Sequence, residues 1–476
     1  MMQRAATGEL TGWWARPCGA RDVLKISVPL ITSMAALTVM TFIDRMFLLW
    51  YSEESMAAVL PSGMLHFSMI CLPLGIASYV NTFVAQYHGA GQPQRIGPAL
   101  SQGVRLGFYC IPLFLLLIPI APWIFKMAGH EPALAAQETL FFQACSFGAG
   151  AEITAAALSA LFTGLGETRV VMVVDSSAAL LNGLLDYGWI FGHFGLPALG
   201  IEGAGWATVV ALWFRVVAYL ALTMLPRYRR PYRLWHDRSF DLPLFRRLLK
   251  FGVPNGLQLL VDVAGFTLFL LIIGRLGPKD TAATTLAFNV NALAFIPMLG
   301  LGVALSTLVG RQLGRNRPDM ASRATWTALW LAGLYMGTMA LVYVLLPDVL
   351  LMGHALRTPP AEFAQLRATT VVLLRFVAAY CLFDAMNVVF CGALKGAGDT
   401  RFVMIVSLSV TPLPLVAALV GMRYWNGGLL WCWMVITGWV LTTAFIYAAR
   451  FLHGQWRHMR VIEPELLPDE ALTLEP

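Results

Sequence analysis

Charge is what this 476-residue chain lacks most: Asp, Glu, Lys and Arg make up 12% of it, about half the share usual in a soluble domain. So few polar groups cannot cover a surface that faces water. Motif chemistry is equally scarce. No GxxxxGK[ST] phosphate loop, HExxH zinc helix, GxSxG nucleophile elbow or GxGxxG dinucleotide turn occurs. Nucleotide hydrolysis by this chain is therefore not expected, nor is any cofactor. The seven Cys are scattered without a CxxC pair, which suits small buried apolar residues better than disulfides or metal ligands. The start of the chain carries Trp13, Trp14 and Arg16 but not the apolar core and cleavage site of a signal peptide. The net charge of +7 and pI near 9.1 do not imply nucleic acid, because the basic residues lie in short segments between apolar runs and build no groove for phosphates.

What is present is apolar sequence, 58% of all residues. Runs of about 20 apolar residues, enough to cross a hydrocarbon layer of about 30 Å, recur through the chain. Six fall at 24–50, 56–85, 98–122, 133–163, 168–192 and 202–225, and six at 248–275, 282–309, 321–346, 364–393, 400–423 and 427–452. Between the sets lies a basic stretch, PRYRRPYRLWHDRSFDLPLFRRLLK, from Pro226 to Lys250. The expected fold is an all-α polytopic membrane protein of twelve transmembrane helices in two six-helix pseudo-symmetric lobes. The expected domains are an N-terminal segment 1–23, an N-lobe 24–226, a basic loop 227–247, a C-lobe 248–452 and a tail 453–476. The acidic, Pro-containing sequence after Arg460 is expected to be disordered. With twelve spans the termini share a side, and 24 Lys/Arg fall on that side against six on the other. That asymmetry predicts cytoplasmic termini in a cytoplasmic (inner) membrane.

The halves repeat. A shift of 225 residues pairs Val28-Pro29 with Val253-Pro254, Leu74-Gly75 with Leu299-Gly300, and Gly89 with Gly314. Further on a shift of 232 lays GLGETR (Gly164–Arg169) on GAGDTR (Gly396–Arg401). Copies of six spans each share an orientation and pack about a pseudo-two-fold axis along the membrane normal. In transporters such repeats place the substrate path between the halves.

An ionisable side chain at bilayer depth costs about 2.5–3.5 kcal/mol on insertion scales, so each one needs a reason. Asp44, Glu152, Asp186, Asp262 and Asp384 fall inside spans, with Asp175 nearer an end. At about 1.5 Å of rise per residue, Asp44, Asp186 and Thr208 reach one level, with Asn182 one turn from Asp186. In the second half Asn255, Gln258 and Asp262 form an i, i+3, i+7 stripe, and Tyr380 and Asp384 share a face. Carboxyl groups away from water favour the proton, while hard oxygen donors also suit Na⁺; the donors alone do not choose. Helix-tying hydrogen bonds would be the plainer role for Asn182 and Thr208, and packing for Tyr380. Glu152, which falls on Asp384 under the 232 shift, is a possible additional intramembrane acid. Arg215 and Arg375 are expected to snorkel or to pair an acid.

These stretches resemble the multidrug and toxic compound extrusion (MATE) family. The likeness rests on PLITSMAALTVMTFIDRMFL with Asp44, VAQYHGAG, LLNGLLDYGWIFG, GIEGAGWAT, KFGVPNGLQ and YCLFDAMNVVFCGALKGAGDTR, in order over roughly residues 20–455. The resemblance implies an antiporter, not an enzyme, that exports cationic or amphipathic small molecules in exchange for H⁺ or Na⁺. It implies a V of two lobes, an N-lobe ion site of Asp44, Asn182, Asp186 and Thr208, and a C-lobe site of Asp262, Tyr380 and Asp384 that could hold Na⁺. Departures are Arg45 after Asp44, where a guanidinium could pair with the acid, Thr285 in span 8 where a Gln is common, and Asp262 where Glu is common. Its partners are expected to be the cargo and membrane lipids, with the chain acting as a monomer. A lipid-linked oligosaccharide flippase or a narrow metabolite exporter of the same superfamily is the alternative; a flippase would want a cavity dominated by Arg and Lys.

Overall fold

Apolar runs of this length bury their backbone polar groups in the only way a membrane allows a single segment, by helical hydrogen bonding. The computed structural model describes residues 14–127, 129–236, 239–355 and 360–463, and these contain helices and no strand. Six long helices form the first lobe: α1 (Ala20–Tyr51), α2 (Glu53–Gly89, interrupted at Tyr79), α3 (Ile96–Leu115), α4 (Pro132–Leu165), α5 (Thr168–Phe191) and α6 (Ile201–Met224). Six form the second: α7 (Leu242–Gly274), α8 (Pro278–Gly314), α9 (Pro318–Leu345), α10 (Pro360–Ala397), α11 (Thr400–Tyr424, interrupted at Thr411) and α12 (Leu429–His453). Eleven of them are long and apolar enough to cross a membrane. The exception, α3, carries Ser101, Gln102 and Arg105 and buries much of its length against α2 and α4, with Gly103 on Val80 and Gly107 on Thr154. It is shorter than the span expected at 98–122: it stops at Leu115, and a separate helix, Ala121–Met127, follows. The chain is a multi-pass membrane protein.

The repeat is visible in local geometry. Gly166 and Gly398, equivalent under the 232 shift, both take positive φ (+78° and +105°) where α4 and α10 end, a conformation that other residues adopt only with strain. Two boundaries differ from the sequence expectation. The basic loop ends at Asp241, not 247, because the Asp241 side chain accepts from the Leu244 N–H at 2.9 Å and caps α7, so Arg246 and Arg247 are helical. The tail is ordered through Glu463: Val461 and Ile462 are buried, and the Val461 N–H donates to Gln86 Oε1 at 2.9 Å. Composition hid this, since a backbone N–H needs no particular side chain. Residues 1–13 and 464–476 of the terminal segments lie outside the described residues.

The lobes meet through contacts that come in symmetric pairs, all toward the face that carries both termini. Ile31 packs on Gly300, and Gly256 on Gly75; a methyl group on Gly75 would lie 2.4 Å from Gly256 Cα. One on Gly89 would lie 2.1 Å from the Arg311 carbonyl oxygen, and one on Gly314 would lie 2.2 Å from that of Gln86. Only glycine permits such backbone approach. Hydrogen bonds cross the same seam: Asn255 to Gly75 O at 2.7 Å, Tyr79 to Lys395 O at 2.7 Å, Gln86 to Gly396 O at 3.0 Å, and Thr307 to Asn81 at 3.1 Å. Toward the opposite face the same helix stripes are exposed, as at Phe42 and Leu293. The structure is closed on the terminal face and open on the other.

Candidate functional site

The first-lobe site is assembled by α1, α5 and α6. Asn182 and Asp186 stand one turn apart on α5 and are fully buried. Oriented by its hydrogen-bond network, the Asn182 amide donates to Asp44 Oδ1 at 2.8 Å and to Asp186 Oδ2 at 3.1 Å, and accepts from the Thr208 N–H at 3.2 Å. The one amide thus bridges the Asp44 and Asp186 carboxyls. The four residues expected in the first-lobe site therefore meet. Thr208 does so by its backbone, because its hydroxyl donates to Ala204 O at 3.1 Å within α6. Asp186 Oδ1 has no hydrogen-bond partner. Arg45 is exposed and forms no direct ion pair among the described residues, although its charge and that of Asp44 act on each other.

A second cluster lies in the same lobe, nearer the terminal face. Asp175 Oδ1 accepts from Arg215 Nε at 2.9 Å and from the Tyr219 hydroxyl at 2.9 Å, and Oδ2 accepts from Ser33 at 2.5 Å. Arg215 is 12% exposed and Asp175 4%, so the guanidinium neutralises an acid and does not snorkel. Glu152 also lies within the electrostatic reach of Arg215. Arg375, by contrast, is exposed and has no ion pair among the described residues.

The second lobe divides its acids. Asp262 Oδ2 accepts from Gln258 at 2.5 Å and Oδ1 from Ser407 at 3.1 Å, which puts the group between α7 and α11. Asn255 leaves the expected stripe and reaches across to the other lobe. Asp384 and Tyr380 sit on α10 beside Tyr343 and Cys381. No hydrogen bond joins Asp262 to Tyr380 or Asp384 among the described residues, and no group of three or more His, Cys, Asp or Glu could hold a metal there. Asp262 also lies within electrostatic reach of Cys391 and Lys395 on α10.

Sequence reasoning passed over Ser33 and Ser407. The repeat could have found them: under the two shifts Ser33 falls on Gln258 and Asp175 on Ser407. Thr285 lines a cavity of about 720 Å³ with Asn289, Leu286 and Leu366, at the open end of the second lobe.

Comparison with known proteins agrees with the two-lobed fold. The family model MatE matches twice, over residues 29–188 and 254–420. The starts of the two matches differ by 225 residues and the ends by 232, the same two shifts that align the halves. Multidrug resistance protein PmpM of Pseudomonas aeruginosa is 29% identical over 394 residues, covering 82% of this chain and 80% of that protein. Among solved structures, the outward-facing conformation of a multidrug resistance MATE family transporter of the MOP superfamily superposes with a TM-score of 0.83 at 17% identity, covering 91% of this chain and 96% of that one. The eukaryotic MATE transporter AtDTX14 gives 0.79 at 19% identity, over 92% and 96%. At these identities the structural likeness is one of fold.

Proposed function

The chain belongs to the MatE family of transporters, and from that premise we propose that it is a secondary active antiporter for multidrug efflux. It exports cationic or amphipathic small molecules in exchange for entering H⁺ or Na⁺. We place it in the cytoplasmic membrane with both termini inside, in keeping with its Lys/Arg asymmetry. The closed face is then cytoplasmic, and the cleft opens outward.

One observation carries the reading: two carboxyl groups, Asp44 and Asp186, are brought side by side on a single buried amide. Such a pairing is favourable with a proton between the oxygens and repulsive when both are ionised. Loading from the open side lets α1 and α5 approach, and unloading drives them apart. Because α1 also packs on α8 through Ile31, the separation of α1 and α5 bears directly on the lobe seam. The driving force is adequate. One charge moving inward through 100 mV releases about 2.3 kcal/mol, which supports a substrate ratio of roughly 50-fold. The flippase alternative would want a cavity dominated by Arg and Lys, whereas the charges that fall inside spans are mainly acidic.

The test is ethidium flux in liposomes carrying the purified protein, under an imposed H⁺ gradient and then an imposed Na⁺ gradient, with Asp44→Asn and Asp384→Asn alongside. Uphill movement under one gradient, lost in one variant, names the ion and the lobe. No movement under either gradient would remove multidrug antiport and leave a flippase or a narrow metabolite exporter.

A further inference from the structure

The acids of this protein are inside its lobes, and the wall of the open cleft carries the opposite sign. Its geometry follows from the seam. On α1, Ile31 touches Gly300 of the other lobe, and residues 7, 11, 14 and 18 further on, Thr38, Phe42, Arg45 and Leu49, continue that face toward the open end. Thr38, Phe42, Arg45 and Leu49 are all exposed. On α8 the same construction runs back from Gly300 through Leu293, Asn289, Thr285 and Ala282, all four exposed. On α2 it runs from Gly75 through Met64, Leu60 and Ala57, again exposed. Asp44 and Asp262 point away from the cleft into their own lobes, as their hydrogen bonds show.

Below the mouth, where Glu53 and Glu54 begin α2, Arg45 is thus the one charged side chain on these faces among the described residues. It makes neither an ion pair nor a hydrogen bond among the described residues, and the only carboxylate that acts on it is that of Asp44, whose Oδ1 accepts from Asn182. The 225 shift puts Leu270 at its place in the other lobe, so the repeat does not require a cation. An unpaired guanidinium at this depth is costly to keep. On this helix-face construction it faces the opening between the lobes, where low-dielectric walls would focus its field, and its planar fork matches a carboxylate. We propose that Arg45 is a specificity-determining residue that docks the acid group of zwitterionic or anionic amphiphiles in the outward-open cleft. The apolar stripes of Phe42, Leu49, Leu293 and Met64 take the hydrophobic body of the same molecule. This deepens the antiport reading by assigning the cleft a substrate class, and rests on that reading for its role in transport.

The experiment compares two dyes that differ in one group, rhodamine 110 with a free carboxyl and its methyl ester rhodamine 123. Binding to the purified protein is read by fluorescence anisotropy in wild type, Arg45→Gln and Arg45→Lys. The expected result is that the acid-to-ester affinity ratio falls by about five- to tenfold in Arg45→Gln and by less in Arg45→Lys. An unchanged ratio in Arg45→Gln would overturn the proposal, whether both affinities fall together or neither moves. Should Arg45→Gln not fold, competition on wild type decides: octanoate must displace rhodamine 110 more strongly than octylamine does, and the reverse order overturns the proposal. Gradient-driven flux of the two dyes separates the two claims. If neither dye moves while the binding ratio depends on Arg45, antiport fails and the docking residue stands.

Discussion

Asp175 and Ser407 occupy equivalent points of the two lobes, and only the first is a carboxylate. Asp175 is held by Arg215, Tyr219 and Ser33; Ser407 instead donates to Asp262, which reaches the same level from α7. The lobes thus keep one acid each at this level, buried in the first and half-buried in the second, and only the first-lobe acid has a guanidinium in contact.

Removing that guanidinium leaves a charge buried without a partner. Arg215→Met is expected to destabilise the protein by about 3–5 kcal/mol, and the double variant Asp175→Asn/Arg215→Met to regain more than half of that. Thermal unfolding in detergent measures both. A double variant no more stable than the single one would show that the network matters through packing and not charge.

The Asn182 amide and the Thr208 hydroxyl separate contact from proximity. Asn182→Ala frees both carboxyls from their common donor, and gradient-driven export is expected to fall at least about tenfold, the equivalent of one charge-assisted hydrogen bond. Thr208→Val keeps the backbone N–H that meets Asn182 and should stay within about twofold. Initial rates of ethidium efflux in proteoliposomes give both numbers.

Glycine contacts at the seam make a mechanical prediction. A methyl group on Gly256 would lie 2.3 Å from the Leu72 carbonyl oxygen, an overlap worth about 1–3 kcal/mol in a packed interior. Gly256→Ala should therefore shift the protein toward a state open on the terminal face, seen as a longer spin-label distance between the α2–α3 and α8–α9 turns. Gly333→Ala, where nothing lies within 4 Å of the added carbon, should leave that distance unchanged.

Glu463 ties the tail to the seam by accepting from Tyr87 at 2.8 Å and pairing with Arg247 at 2.9 Å. Partial burial alone would raise its carboxyl; the Tyr87 hydrogen bond and the nearby guanidinium outweigh it, so the group titrates below the usual 4.5. A depressed carboxyl contributes stability above its unfolded value and loses it as pH falls through the folded one. The tail should thus hold at neutral pH and loosen below about 4.5. Hydrogen exchange at Val461 would report it, and Glu463→Gln should loosen the tail already at pH 7.

Much of the site was legible because helix depth is linear in residue number. Counting residues from a span's end put Asp44, Asp186 and Thr208 at one level, and three packed helices brought them together. The same count put Tyr380 at the depth of Asp262, but depth says nothing about which side chains bond, and Asp262 takes its hydrogen bonds from Gln258 and Ser407. Arg45 shows the complementary gap. Its distance from Asp44 in sequence is one residue, but at 100° per residue the two side chains look into different compartments.

By itself the sequence determined the helical, membrane-spanning character, the number of spans and the internal repeat, because apolar length and shift symmetry are properties of residue order. It did not determine the sign of the cleft. That was decided by the tertiary structure: the seam at Ile31–Gly300 and Gly75–Gly256 fixes the rotation of α1, α2, α7 and α8 about their own axes, turning the acids inward and Arg45 toward the opening. Helix rotation is set by contacts between segments some 200 residues apart in the chain, and no local pattern contains it.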